Sequence, residues 1–232
     1  MSGLNIVQHR MHLTGILLDI AKDSGLNSSL GFKGGTAVML FHNLPRFSVD
    51  LDFDLIGKKG EVVERMTQLL GKKYRIKDQS IKWNTVFWLL SYKEGQAHIK
   101  VEVSTRDNPF NHYEMKQYYG AGIRVLRLSD MIAHKLVALS ERIDKAKRDL
   151  FDAHYFLSSP SATEINYEII KDRTGKTPRE FYESLLTVVE KIENKNILDG
   201  LGELLTEAQK DWARVKLKNE LMGLIQRNID LM

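Results

Sequence analysis

The sequence contains no cysteine among its 232 residues. Disulfide bridges, thiolate metal sites and cysteine nucleophiles are therefore excluded. It also lacks an apolar run of about 18 residues, the length that a membrane-spanning helix needs, and no segment near the N-terminus has the pattern of a secretory signal. We therefore expect a cytoplasmic protein with no membrane partner.

The charges of the chain are nearly balanced. Lysine and arginine total 34 against 30 aspartates and glutamates, which gives a net charge of +4 and a pI near 9.1. An excess of this size suits a nucleotide or nucleic-acid partner but does not by itself indicate one. Apolar residues make up 43% of the chain, which is enough for the core of one large domain or two small ones.

Hydrophobic periodicity gives the two halves of the chain different characters. In the first half it predicts helices at residues 5–24, 36–42 and 61–70, and strands at residues 30–33, 49–56, 74–77, 81–92, 97–105 and 123–126. An aromatic loop containing Tyr113, Tyr118 and Tyr119 precedes the last strand. From Ser129, a favourable N-cap, the pattern is almost continuously helical. We predict an α+β domain over residues 1–128 and a helical region over residues 129–232.

A pair of glycines, Gly34 and Gly35, joins the first predicted strand to the helix that begins near Thr36. Because glycine has no Cβ, a ligand can approach this backbone closely, and the free N–H groups at the start of a helix attract phosphate. The alternative interpretation is a tight strand-to-helix turn. The glycine pair alone does not distinguish the two.

The strand that follows alternates apolar residues with three aspartates, Asp50, Asp52 and Asp54. A period of two places these carboxylates on one face, where they repel each other and favour a nearby cation. Two of them with a third acid can hold two Mg²⁺ ions about 3.5–4 Å apart for in-line phosphoryl transfer. The alternative is a solvated edge of the sheet. Glu102, on the polar side of a later strand, is the candidate third acid, although beside Lys100 it equally suits a surface position.

Two motifs stand in a characteristic order. The first is Gly34-Gly35-Thr36 followed by Arg46-x-Ser48-x-Asp50-x-Asp52. The second is His134-Lys135-Leu136-x-Ala138-Leu139-x-x-Arg142 followed by Arg148-Asp149-x-x-Asp152. Together they resemble the AbiEii/AbiGii toxin family of nucleotidyltransferases, a branch of the DNA polymerase β-like superfamily. The resemblance implies a polymerase β-like mixed sheet with flanking helices, followed by a helical C-terminal region.

The resemblance also implies roles for individual residues. Asp50 and Asp52 would be catalytic metal ligands completed by Glu102, with Asp54 as the alternative third acid because it is in phase. Lys135 and Asp149 would also be catalytic, Lys135 as a point charge on the triphosphate. The implied nucleotide-binding residues are Gly34, Gly35, Thr36, Arg46, Ser48, Lys135, Arg148 and Asp152.

The second motif has its own alternatives. Lys135, Arg142 and Asp149 are spaced by seven, which places them along one helix face if the helix continues through residues 143–147. The run from Arg148 to Asp152 also fits ordinary helix-surface electrostatics.

The function that the resemblance implies is a transfer reaction. The protein would use Mg²⁺ or Mn²⁺ to move a nucleoside monophosphate from an NTP to an acceptor hydroxyl, for which tRNA is one candidate. It would be the toxin of a toxin–antitoxin or abortive-infection system and would have an antitoxin partner. Two alternatives stay open: a noncatalytic nucleotide- or RNA-binding module, and a small-molecule nucleotidyltransferase of the antibiotic-modifying type. Trp83, Phe87 and Trp88 are interpreted as core or sheet surface rather than as base-stacking platforms.

Overall fold

The computed structural model describes residues 4–93, 97–142 and 147–232. The chain divides into two compact units, Met1–Arg127 and Leu128–Met232. Strands occur in the first unit among the described residues, and helices occur in both. The predicted α+β class, with a helical C-terminal region, is confirmed.

The N-terminal unit contains a sheet and four helices within its described residues. Its helices are α1 (Ile6–Lys22), α2 (Ser24–Ser29), α3 (Gly34–Phe41) and α4 (Lys59–Gly71). Its strands are β1 (Leu30–Lys33), β2 (Leu51–Leu55), β3 (Arg75–Ile81), β4 (Thr85–Ser91), β5 (His98–Ser104), β6 (Tyr113–Tyr118) and β7 (Ala121–Leu126).

The strands form one mixed sheet in the order β3-β4-β5-β2-β1-β7-β6. The aspartate strand β2 lies at its centre, antiparallel to β1 and parallel to β5. Leu51 and Phe53 are buried on one face of β2, as are Val101 and Val103 of the neighbouring β5. A slip of one residue would turn this apolar set to the opposite face, so core burial fixes the register that places the carboxylates.

Helix α1 forms because its apolar residues repeat at helical spacing and its start is capped. The Asn5 side chain accepts a hydrogen bond of 3.0 Å from the Gln8 backbone N–H. Leu13, Ile16 and Leu17 are almost fully buried. Each such side chain contributes about 1.5–3 kcal/mol on burial, which fixes α1 to the core.

The prediction of an aromatic loop before the last strand is wrong. Residues Tyr113–Tyr118 form strand β6, which pairs antiparallel with β7. The turn between them consists of Tyr119 and Gly120, both with positive φ, at 47° and 79°. Type I′ hairpin turns need positive φ at both central residues and usually carry asparagine, aspartate or glycine at the first, so tyrosine there concealed the hairpin from the sequence pattern.

The predicted boundary between β3 and β4 is also wrong. Ile81 ends β3 instead of starting β4, and Trp83 lies in the turn between the strands with 90% of its surface exposed. Trp88 is fully buried, as the core interpretation predicted. Phe87 is half-buried on the sheet surface. Trp83 therefore belongs to neither the core nor the sheet surface.

The C-terminal unit contains helices joined by turns and loops, and no strand lies within its described residues. Its helices are α5 (Leu128–Arg142), α6 (Arg148–Leu157), α7 (Tyr167–Thr174), α8 (Pro178–Glu190), α9 (Glu207–Trp212) and α10 (Lys218–Asp230), with a π-helical segment, Ala213–Leu217, before α10. Ser129 is not an N-cap, because α5 begins one residue before it. Within the ranges described, no helix is long and apolar enough to cross a membrane.

The single helix face predicted for Lys135, Arg142 and Asp149 is also wrong. Helix α5 ends at Arg142 and α6 begins at Arg148, so the three residues lie on two helices. Residues 143–146, where the prediction required an unbroken helix, lie outside the described residues.

Candidate active site

The centre of the candidate site is the junction of β1 and α3, where Gly34 faces Asp52. Gly34 has a φ of 80°, which glycine adopts without strain. A Cβ placed on Gly34 would lie 2.2 Å from Asp52 Oδ2. The Asp52 carboxylate therefore occupies the space that glycine leaves open. We call this close contact between Gly34 and the Asp52 carboxylate, at the start of α3, the cradle.

The start of α3 is arranged to attract an anion. The side chain of the N-cap residue, Lys33, makes no capping hydrogen bond to the first-turn N–H groups. Arg46 and Ser48 are buried beside the same turn. A Cβ placed on Gly35 would lie 3.1 Å from Arg46 Nη2 and 2.8 Å from Ser48 Oγ, so both side chains lie close to the first turn of α3. A helix N-terminus and a guanidinium side by side provide the positive potential and the donors that phosphate requires.

The sheet register places Glu102 next to Asp52. On β5, Glu102 is the direct partner of Asp52, and on β1 the partner is Lys33. Neighbouring strands are about 4.8 Å apart, so the two acids stand on the same face within reach of a shared ligand. The Glu102 carboxylate forms an ion pair with Lys100 of its own strand. The sequence pattern placed Glu102 on the polar side of a strand, but it did not indicate that this strand pairs with β2.

Asp54 is held by protein side chains. It is 2% exposed, and Lys33 Nζ lies 2.5 Å from its Oδ1. Its Oδ2 accepts hydrogen bonds from Tyr113 Oη at 2.9 Å and from Asn111 Nδ2 at 3.1 Å. Both carboxylate oxygens are therefore bonded within the fold, and this favours Glu102 over Asp54 as the third acid. Neither Asn111 nor Tyr113 stands in a recognisable motif, so no sequence pattern pointed to their contacts with Asp54.

Thr36 has a different contact from the predicted one. Its side chain is fully buried, and its hydroxyl donates to the backbone carbonyl of Asp50. Thr36 therefore holds the chain at Asp50. Its predicted role in nucleotide binding stays a prediction.

The carboxylates fit a hard divalent cation only in part. Asp50 and Asp52 are half-buried, and oxygen ligands of this kind suit Mg²⁺. Among the residues that the structure describes, no three acidic or histidine side chains are gathered as a ready metal cluster. Since Glu102 is paired with Lys100, it would have to leave that partner to complete a site. The pair Asp50 and Asp52 is thus the part of the site that fits the cation.

The predicted residues of the second motif form a buried ion network in the C-terminal unit. Lys135 Nζ lies 3.2 Å from Asp149 Oδ1 and 2.7 Å from Asp152 Oδ2. Arg142 Nε lies 2.9 Å from Asp149 Oδ2. Both aspartate side chains are fully buried, so the network joins α5 to α6. The packing of α5 against α6, rather than a shared helix face, brings these side chains together.

The network accounts for Lys135, Asp149 and Asp152 as structural residues of this unit. Arg148 is half-buried at the start of α6. The catalytic roles of Lys135 and Asp149, and the nucleotide contacts of Lys135, Arg148 and Asp152, stay predictions.

Comparisons with known proteins give consistent results. The family profile described as "Nucleotidyl transferase AbiEii toxin, Type IV TA system" matches residues 16–221. Among solved structures, JHP933 from Helicobacter pylori is 21% identical, with a TM-score of 0.64 over 99% of this chain and 94% of that one. MenT4, a nucleotidyltransferase toxin from Mycobacterium tuberculosis, is 19% identical, with a TM-score of 0.56 over 97% of this chain and 87% of that one.

At this level of identity the two structures show a shared fold. No curated protein sequence matches the chain significantly.

Proposed function

The chain belongs to the nucleotidyl transferase AbiEii toxin family and is a nucleotidyltransferase; on that premise we propose that it transfers a nucleoside monophosphate from an NTP to a hydroxyl of RNA and releases pyrophosphate. The observation that carries the proposal is the Asp52 carboxylate held against Gly34 at the start of α3, in register with Glu102. This arrangement combines a phosphate cradle with the acids that phosphoryl transfer needs.

Each group at the cradle has a place in this reaction. The first-turn N–H groups of α3 and the Arg46 guanidinium bind the triphosphate. Asp50 and Asp52 would hold Mg²⁺ or Mn²⁺, which when bound offsets the negative charge of the triphosphate and of the departing pyrophosphate. The acceptor oxygen forms a bond to the α-phosphorus while the bond from that phosphorus to the pyrophosphate oxygen breaks. The hydroxyl proton passes to Glu102.

The surface beside the carboxylates supports RNA as the acceptor. Phe87 is the register partner of Glu102 on β4, and Lys82 and Lys100 place their ammonium groups 5.7 Å and 5.6 Å from the centre of its ring. The backbone N–H of Lys82 donates to the Thr85 carbonyl at 2.7 Å. This hydrogen bond closes the turn in which Trp83 is exposed to solvent. Aromatic rings between cations are the usual means of binding single-stranded nucleic acid without base specificity.

The family match supports a biological setting for this reaction. We propose that the protein is the toxin of a toxin–antitoxin pair, that an antitoxin protein is its partner, and that tRNA is the RNA that it modifies. A cytoplasmic location, where tRNA is abundant, fits this setting.

The test of this function is incubation of the full chain with each labelled NTP, Mg²⁺ and total RNA. We expect label in RNA, and we expect Trp83→Ala to lower transfer about tenfold because base stacking contributes about 1–3 kcal/mol per base. Tyr119→Ala is the matched control, since Tyr119 is another exposed aromatic on a hairpin turn, with 80% of its surface accessible. Transfer to small molecules without RNA, or an equal loss in both variants, would contradict the proposed acceptor surface.

The cradle itself gives a second prediction. Gly34→Ala introduces a Cβ that overlaps the Asp52 carboxylate, and displacement of a reacting group by about 1 Å can lower a rate about 10²-fold. The positive φ adds a strain of about 1–2 kcal/mol. Gly120→Ala is the control, because Gly120 also has a positive φ, 79°, but a Cβ placed there would have no neighbouring heavy atom within 4 Å. Initial rates and thermal unfolding of both variants distinguish the overlap from the strain, and equal rates in the two would show that the contact with Asp52 is unimportant.

A further inference from the structure

The backbone of Asp50 needs support that the sheet does not provide. Strand β2 begins at Leu51, so Asp50 precedes the ladder that fixes Asp52 between Lys33 and Glu102. The position of the Asp50 carboxylate therefore depends on contacts to the segment from Arg46 to Asp50, which is neither helix nor strand.

Side chains hold the backbone carbonyls of this segment. The Thr36 hydroxyl donates to the Asp50 carbonyl, and Arg46 Nη1 donates to the Phe47 carbonyl at 3.0 Å. His9 of α1, which stands 40 positions earlier in the chain, also contacts this segment: its Nε2 lies 2.9 Å from the Val49 carbonyl oxygen. The peptide group between Val49 and Asp50 is thus held at its oxygen by His9, and the next peptide group is held by Thr36.

The surroundings of His9 select the form of the ring that can make this contact. A carbonyl oxygen only accepts, so Nε2 must carry a proton. Nδ1, which lies 3.2 Å from Tyr92 Oη, then accepts a hydrogen bond from the phenol. Burial lowers the pKa of His9, whose side chain is fully enclosed, and this favours the neutral ring. Its ring also packs edge-on against Phe47 of the same segment at 5.9 Å.

We propose that His9 is a positioning residue for Asp50: its Nε2–H fixes the Val49 carbonyl and thereby sets the direction in which the Asp50 carboxylate points. The inference rests on the proposed function of Asp50 as a ligand of the donor's metal. A residue that merely fills the core could be apolar here, but it would leave the Val49 carbonyl without this donor, and a buried acceptor that loses its partner is destabilising.

Two amide substitutions distinguish the hydrogen bond that His9 donates to the Val49 carbonyl from the packing of its ring in the core. In His9→Gln the amide nitrogen lies as many bonds from Cα as the histidine Nε2, so it can donate to Val49. In His9→Asn the amide nitrogen corresponds to Nδ1 and cannot reach that carbonyl. Both variants remove the ring and retain a polar amide, so a loss of packing alone affects both.

The measurements are Mn²⁺ affinity by calorimetry without nucleotide, hydrogen exchange of residues 46–52, and kcat and KM for NTP. We expect His9→Asn to weaken Mn²⁺ binding and to lower kcat, each by about 10–100-fold, with a smaller change in KM. We expect faster exchange of the segment in His9→Asn, and values near the wild type in His9→Gln.

Equal behaviour of the two variants in all three measurements would overturn the inference. If His9→Asn does not fold, His9→Gln with normal Mn²⁺ affinity supports it, and His9→Gln with greatly weakened affinity overturns it. If the wild type transfers no nucleotide, the proposed function fails, while Mn²⁺ affinity and exchange still decide the role of His9.

Discussion

The Asp52→Asn protein is expected to fold normally and to transfer nucleotide at least about 10³-fold more slowly than the wild type. The substitution retains the shape of a side chain that lies against Gly34 but removes its negative charge. A metal ligand at a phosphoryl-transfer site contributes several kcal/mol to the stability of the transition state, and each 1.36 kcal/mol changes the rate tenfold.

The measurement is single-turnover transfer of label from NTP to RNA, with thermal unfolding recorded on the same samples. Asp78→Asn is the matched control, because Asp78 is an exposed aspartate on β3 of the same sheet. We expect its rate to remain within about twofold of the wild type, as for surface substitutions generally. Wild-type rates in a folded Asp52→Asn protein would remove Asp52 from the reaction.

Lys135→Met is expected to destabilise the C-terminal unit by about 3 kcal/mol. It removes the ammonium group that lies 2.7 Å from Asp152 and 3.2 Å from Asp149, two carboxylates that are fully buried. Removal of one partner leaves buried negative charge uncompensated, and this costs about 3–5 kcal/mol. Lys135 is itself 13% exposed, so we place the effect at the lower end.

Chemical denaturation of the full chain measures this effect. Arg179→Met removes a similar charge from the exposed pair with Glu183 on α8, and we expect a change of less than about 1 kcal/mol. The double variant Lys135→Met with Asp152→Asn should recover part of the loss, because the charge that lost its partner is then neutral. An unfolding midpoint unchanged in Lys135→Met would show that the network does not stabilise the fold.

The same variant tests the predicted triphosphate contact of Lys135. Transfer is measured at a temperature where Lys135→Met is fully folded. A loss there supports the contact, whereas unchanged transfer assigns Lys135 to structure alone.

Local pattern was sufficient for the centre of the site. The alternation around Asp52 predicted a half-buried strand, and the structure places β2 there. The glycine pair predicted a strand-to-helix junction, and β1 and α3 meet at Gly34. Both features depend on neighbouring residues, so a single stretch of sequence contains them.

Contacts between distant residues could not be predicted in this way. Asp54 has the same sequence pattern as Asp52, and its different role comes from Asn111 and Tyr113, which lie 57 and 59 positions later. His9 stands 40 positions before Val49 and in a stretch that reads only as an amphipathic helix. Such pairs depend on the packing of α1 against the sheet and on the pairing of β6 with β7 at its edge, which periodicity does not specify.

Diffraction from crystals soaked with Mn²⁺ and a nonhydrolysable NTP analogue, recorded with the anomalous signal of manganese, tests the central claim most directly. The account predicts an anomalous peak within bonding distance of both Asp50 and Asp52, with the triphosphate at the start of α3 against Gly34 and Gly35. A structure with the nucleotide bound elsewhere, and with no manganese at these two carboxylates, would contradict it.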